Sequence, residues 1–151
     1  MMSRRLRLLA ASFVCLVTAG SASGESSVSR TFAFETDKRF VLDATEGPVT
    51  LHRIQVARQS GLFTKSTIMR PGNSDFLASI EIRLEYSNSA TRDWKARFHL
   101  ALLDEAGREI DGYNGSEDLD DGENHDVVTI KLSTLKYALT VARTLRVGIE
   151  L

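Results

Sequence analysis

Apolar and polar residues alternate with a period of two along much of the chain. The alternation is clearest over residues 80–86, 94–102, 128–132 and 145–151, and it is weaker over 31–35, 39–43 and 49–57. A period of two is typical of half-buried antiparallel strands, in which one face contacts a core and the other faces water. The pattern therefore predicts about seven or eight short strands.

Turn-forming sequences separate these strands. They are Pro71-Gly72-Asn73, Asn88-Ser89, residues 104–107, Asp111-Gly112, Asn114-Gly115 and Asp121-Gly122. Glycine and asparagine accept the positive φ that many tight turns require, and proline presets a negative φ. Helical spacing occurs only near residues 134–141 and predicts at most one short helix. These signals together predict an all-β fold, a single antiparallel β-sandwich, with a closed barrel as the alternative.

Residues 1–24 have the pattern of a secretory leader. Arg4, Arg5 and Arg7 precede an apolar run at 8–17, and small residues follow at 20–24. About ten apolar residues are too few to cross roughly 30 Å of hydrocarbon as a helix. The pattern therefore predicts a cleaved signal peptide at 1–24, a β-sandwich domain at 25–151, and a periplasmic or secreted location.

Composition changes the picture once the leader is set aside. Three of the 19 basic residues, none of the 20 acidic residues and the single cysteine lie in residues 1–24. The rest of the chain thus carries 16 bases against 20 acids, a net charge of −4, and no thiol. These counts exclude a disulfide scaffold and a cysteine nucleophile or metal ligand. They also argue against a general nucleic-acid binder, which needs excess positive charge.

The carboxy-terminal half carries a series of short motifs. Asn88 at a strand end is followed by Leu100-Ala101-Leu102-Leu103-Asp104, by Gly107, and by Leu119-Asp120-Asp121-Gly122-Glu123. In this order they resemble the FxLYD-type, immunoglobulin-like domains of exported bacterial proteins, with leucines at the two aromatic positions of that motif. The resemblance covers residues 77–151. It implies an immunoglobulin-like sandwich that serves as a binding or accessory module, and it implies no catalytic residue.

The sequence contains no familiar catalytic motif. The nucleophile motif G-x-S-x-G, the zinc motif H-E-x-x-H and the phosphate loop G-x-x-x-x-G-K are all missing. The three histidines, His52, His99 and His125, are far apart, so only the fold can bring them together as a catalytic group. We therefore predict that the protein is not an enzyme and uses no cofactor.

Acidic residues are concentrated between Asp104 and Asp126, where ten acids accompany one base. One interpretation is a solvated loop between two strands, whose carboxylates keep the protein soluble. The other is a calcium site, because Ca²⁺ prefers several oxygen ligands. Its ligands would be Asp118, Asp120, Asp121 and Glu123. Because the spacing does not match the helix–loop–helix calcium motif, we predict no metal.

A complementary stretch at residues 47–74 contains no acid. Within it, Arg58, Lys65 and Arg70 are interleaved with Phe63 and Met69. If residues 58–70 form a strand, their apolar members enter the core. If they form a loop, they present the large apolar and cationic side chains that interfaces favour. We predict that these five residues bind a partner.

The predicted function is that of an exported, non-enzymatic binding or accessory module acting through protein–protein contacts in the cell envelope. We expect no nucleic-acid partner and no transmembrane segment after residue 24. One alternative is a periplasmic inhibitor or immunity protein that blocks a hydrolase. The other is an enzyme whose site is assembled from scattered histidine and aspartate residues.

Overall fold

The structure, a computed structural model, describes residues 27–59 and 76–151 of the chain. These residues form eight strands and one short helix. Their bounds are β1 (Ser27–Ala33), β2 (Arg39–Glu46), β3 (Val49–Arg58), β4 (Leu77–Asn88), β5 (Trp94–Leu103), β6 (Glu109–Leu119), β7 (Asp126–Leu135), α1 (Lys136–Val141) and β8 (Thr144–Glu150). The predicted all-β class and the short helix are confirmed, although the helix begins at Lys136 because residues 133–135 still belong to β7.

The strands form two antiparallel sheets of four, so the predicted sandwich is confirmed. Sheet I has the order β1-β8-β5-β6, and sheet II has the order β2-β3-β4-β7. The alternation in the sequence matches the two faces of each sheet. In β5, for example, Ala96 and Phe98 are fully buried between the sheets, whereas Lys95 and Arg97 are exposed.

Two turns predicted from the sequence are confirmed. Gly107 and Gly122 both have positive φ, at 76° and 69°. The Gly107 amide donates to the Asp104 carbonyl at 3.0 Å and closes the turn between β5 and β6. Asn88 lies at the end of β4, where its buried amide nitrogen donates to the Leu119 carbonyl at 3.0 Å.

The acidic stretch contains a strand where the sequence analysis predicts a loop. β6 pairs with β5 from Trp94↔Leu119 to Leu103↔Glu109, so the predicted turns at Asp111-Gly112 and Asn114-Gly115 are wrong. Gly112 serves close packing, since a Cβ there would lie 2.6 Å from the Leu100 carbonyl oxygen. Charged side chains suit an edge strand because they hinder pairing with other chains.

The inner face of β6 closes one side of the sandwich. Asp111 is buried, and its Oδ2 accepts hydrogen bonds from Thr134 Oγ1 at 2.5 Å and from the Leu135 amide at 3.0 Å. Tyr113 lies over Gly115, where a Cβ would overlap the tyrosine hydroxyl. The hydrogen bonds of Asp111 therefore join β6 of sheet I to β7 of sheet II, and Tyr113 packs against the core.

Strands from opposite ends of the described chain pair within sheet I. β1 pairs with β8 from Ser27↔Glu150 to Ala33↔Thr144, and β8 also pairs with β5. β8 is therefore an interior strand of its sheet.

Among the described residues, no helix has the length and apolar character needed to cross a membrane.

Candidate functional site

The solvent-facing side of sheet II, which we call the outer face, carries a shallow depression of about 610 Å³. All four strands of the sheet contribute residues to its lining. They are Arg39 from β2; Arg53, Ile54 and Gln55 from β3; Glu81, Arg83 and Glu85 from β4; and Val127, Thr129 and Lys131 from β7. Four of these residues are cationic and two are acidic.

Strand register arranges these side chains in rows across the sheet. The row with a valine on each edge strand, which we call the valine row, is Val41↔Arg53↔Glu85↔Val127, and opposite charges lie between the two valines. A second row is Arg39↔Gln55↔Arg83↔Thr129, and a third contains Glu81↔Lys131. Residues directly opposite on neighbouring antiparallel strands have Cβ atoms about 5 Å apart, so each row forms a continuous strip.

The two carboxylates of the outer face are already engaged. Glu81 Oε2 accepts from Arg83 at 2.6 Å, and Glu85 lies 3.9 Å from Arg53. Arg39 and Lys131 form no ion pair with any residue in the described ranges. The outer face therefore has an excess of two positive charges, and these two cations lie on its two edge strands.

Exposed apolar side chains also mark this face. Val41 and Val127, at opposite ends of the valine row, are 53% and 47% exposed. They are two of the four large apolar side chains that are exposed in the described ranges, the others being Phe76 and Tyr137. Single exposed apolar residues are common, but a pair flanking a charged centre has the mixed composition of a protein-binding surface.

A histidine cluster lies at one end of the outer face. The rings of His52 and His125 are stacked, with centroids 4.1 Å apart and planes inclined by 15°. His52 Nε2 lies 2.8 Å from Ser87 Oγ, and His125 Nδ1 lies 2.8 Å from Glu85 Oε1. The cluster therefore joins β3 and β4 to the turn before β7.

The fold places His52 in the cluster through an irregularity in β3. The register between β3 and β4 shifts between Leu51 and Arg53, so His52 lies at a bulge. His125 precedes β7 and has a positive φ of 57°, which is uncommon for a residue with a side chain. A simple alternation of faces does not predict either position.

Hydrogen bonds around Ser87 determine what its hydroxyl can do. Ser87 Oγ donates to Asn124 Oδ1 at 3.2 Å and accepts from the His125 amide at 3.0 Å. With its proton donated to Asn124, the hydroxyl accepts from His52 Nε2. A nucleophilic serine instead needs histidine to accept its proton, so this arrangement favours a structural role.

The hydrogen bond from His125 lowers the pKa of the Glu85 carboxyl below its ordinary value of 4.5. Burial opposes this shift, and the nearby positive charge of Arg53 adds to it. Glu85 therefore stays ionised and holds both Arg53 and the His125 ring in place.

Most of the predicted partner-binding residues lie outside the described residues. This applies to Phe63, Lys65, Met69 and Arg70. Arg58 is described: it is the last residue of β3, it is exposed, and its amide donates to Asp37 Oδ1 at 2.9 Å. It does not line the depression on the outer face.

The four acids considered for calcium are divided between a strand and a turn. Asp118 lies in β6 and forms an ion pair of 3.0 Å with Lys95, whereas Asp120, Asp121 and Glu123 follow the strand. Within residues 27–59 and 76–151, no group of three or more histidine, cysteine, aspartate or glutamate side chains is arranged to hold a metal ion.

The structure separates the three histidines into two locations. His99 lies on the outer side of sheet I, where its Nδ1 is 2.9 Å from Asn114 Oδ1 and its Nε2 is 3.6 Å from Glu150. Sequence reasoning missed the outer face of sheet II and its cluster. The available signal was the alternation of charges at Glu81, Arg83 and Glu85, which indicates the solvent-facing side of β4 but not which strands lie beside it.

Comparison with known proteins adds no assignment, because no family model and no curated protein sequence matches this chain.

Proposed function

We propose that the protein is an exported, non-enzymatic binding module that acts through protein–protein contacts in the cell envelope. The observation that carries this proposal is the outer face of sheet II, where exposed valines flank a charged centre. Protein interfaces combine apolar contacts with hydrogen-bonding and charged groups, and complementary charges select the partner. The face is open and formed by regular strands, so its side chains are positioned before a partner arrives.

Photo-crosslinking tests this proposal in cells that naturally express the chain. A photoreactive amino acid at Thr129, on the outer face of sheet II, should yield a discrete crosslinked product with another protein. The matched control is Ser116, which is exposed on β6 of sheet I. Equal products from both positions, or none from either, would contradict the proposal. A single hydrolase as the crosslinked protein, inhibited on binding, would favour the inhibitor or immunity protein.

Export is part of the proposal and has its own test. The pattern of residues 4–24 supports it. Mass spectrometry of protein recovered from the cell envelope should give a first residue between Ser23 and Glu25. Intact Met1 on the envelope protein would contradict cleavage of a signal peptide.

A second candidate function is hydrolysis, because Ser87 Oγ lies within hydrogen-bond distance of His52 Nε2, at 2.8 Å. In that case His52 accepts the Ser87 proton, and the hydrogen bond to Asn124 competes with this transfer. Ser87→Ala should then abolish hydrolysis of an activated ester, while Asn124→Ala should increase it. His99→Ala should have no effect. Activity that is unchanged in Ser87→Ala would exclude this candidate.

A further inference from the structure

We infer that the partner presents an acidic segment, which lies extended across the outer face of sheet II between Arg39 and Lys131. This inference rests on the proposed function and names the chemistry of the partner at the same surface. The first observation that supports it is the charge of the outer face. The face carries four cations and two carboxylates, although the whole chain has a net charge of −1.

The distribution of the excess charge favours carboxylates as the incoming groups. Glu81 already accepts a hydrogen bond from Arg83, and Glu85 already faces Arg53, so neither pair needs a further partner. Arg39 and Lys131 have none among the described residues. A cationic segment would meet both of these free charges, whereas an acidic segment would neutralise them.

The positions of Arg39 and Lys131 also define a length. They lie on β2 and β7, the two edge strands of sheet II, which are three strand spacings apart. Adjacent strands are about 4.8 Å apart, which gives about 14 Å across the sheet. Lys131 lies one row further along the sheet than Arg39, a step of about 7 Å, so the span is about 16 Å, which about five residues of an extended chain cover. Val41 and Val127 lie in the row next to Arg39, on the side away from Lys131, and offer apolar contact beside the segment.

The histidine cluster borders one end of the face. His52 and His125 are stacked beside Arg53, and Glu85 is the carboxylate that faces them. The carboxylate at this end is therefore already engaged, and the two cations that form no ion pair within the described ranges lie in the other two rows.

Binding of a labelled decaglutamate peptide, followed by fluorescence anisotropy at low ionic strength and neutral pH, tests the inference. The wild-type chain should bind the peptide, and added salt should weaken the binding because exposed charges are screened. The double variant Arg39→Glu/Lys131→Glu should weaken binding by about tenfold or more, since it replaces two attractions by two repulsions.

A matched control has the same change in net charge at another location. Arg30→Glu/Lys136→Glu alters β1 and α1, and neither residue forms an ion pair with the described part of the chain. This control should bind decaglutamate as the wild type does. Equal losses in the two double variants would mean that only net charge matters, and this result would overturn the proposed location.

Other probes distinguish failure of the inference from failure of the proposed function. Tighter binding of decalysine than of decaglutamate, or tighter binding of a single-stranded oligonucleotide, would overturn the inference of an acidic protein segment. No binding of decaglutamate, together with a protein crosslinked at Thr129, would overturn the inference and leave the binding function intact. No peptide binding and no crosslinked protein would refute both.

Discussion

Replacing Asp111 by alanine should strongly destabilise the protein, because this carboxylate connects the two sheets. It is 7% exposed and lies on the inner face of β6. Its Oδ2 accepts from the Thr134 hydroxyl at 2.5 Å and from the Leu135 amide at 3.0 Å, both at the end of β7. Alanine removes the acceptor and leaves two donors in the interior without their partner.

The size of the effect follows from these two hydrogen bonds. A hydrogen bond to a charged group contributes about 1.5–3 kcal/mol, so the pair predicts a loss of about 4 kcal/mol in the free energy of unfolding. Domains of this size are stable by about 5–15 kcal/mol. With a urea dependence of about 1.5 kcal/mol per molar, the unfolding midpoint should fall by more than about 2 M.

Urea unfolding followed by tryptophan fluorescence measures this shift. Asp118→Ala is the matched control, because Asp118 lies on the same strand but faces solvent and pairs with exposed Lys95. Exposed ion pairs contribute at most about 1 kcal/mol, so this variant should stay close to the wild type. Thr134→Val completes a double-mutant cycle, in which the two interior substitutions should be clearly non-additive.

A small effect would refute this reasoning. If Asp111→Ala and Asp118→Ala have the same free energy of unfolding within about 0.5 kcal/mol, Asp111 is not a buried acceptor. The stretch from Asp104 to Asp126 would then behave as the solvated loop that the sequence predicts. Additivity in the cycle with Thr134→Val would likewise exclude the contact between β6 and β7.

Three further predictions concern titration and packing. Burial raises the pKa of Tyr86 to about 12. The stabilisation that comes from the neutral Tyr86 hydroxyl is therefore fully present below its ordinary pKa of 10.0, and it should be lost as the pH rises through about 12. In Tyr86→Phe this part of the pH dependence of unfolding should be missing. Because its pKa is lowered in the folded protein, Glu85 contributes to the free energy of unfolding at pH values above 4.5, and this contribution is lost as the pH falls below 4.5. His125→Ala should raise the Glu85 pKa in an NMR titration. Gly115→Ala should force the Tyr113 side chain to move, at a cost of about 1–3 kcal/mol in thermal or urea unfolding, and the cost should disappear in the background of Tyr113→Ala.

The strands with regular alternation are the part of the fold that could be predicted from the sequence. In 80–86 and 94–102 the apolar residues at alternate positions lie on the inner face, because the period of a strand assigns residues to faces without knowledge of the neighbouring strand. β6 could not be predicted in this way. Gly112 and Gly115 signal turns in the sequence, whereas in the sandwich they allow close approach of Leu100 and Tyr113.

The candidate site depends on information that local patterns do not contain. Glu85 and His125 meet because β4 pairs with β7, and strand order is set by the whole fold. His52 reaches the same cluster because a bulge in β3 changes the phase of the strand. The charged row on β4 was visible in the sequence, but Arg39 and Lys131 become part of the same face only through pairing across four strands.

The pairing of β1 with β8 has a consequence for the order of events in folding. Ser27 finds its partner Glu150 only when nearly the whole described chain is present, and β8 also separates β1 from β5. Folds dominated by such distant contacts form in milliseconds to seconds, since loop closure precedes the stabilising contacts. Sheet I therefore cannot assemble on a growing chain before its last strand emerges. The complete sheet I is therefore among the last parts of the domain to form, although β5 and β6 can pair before β8 is present.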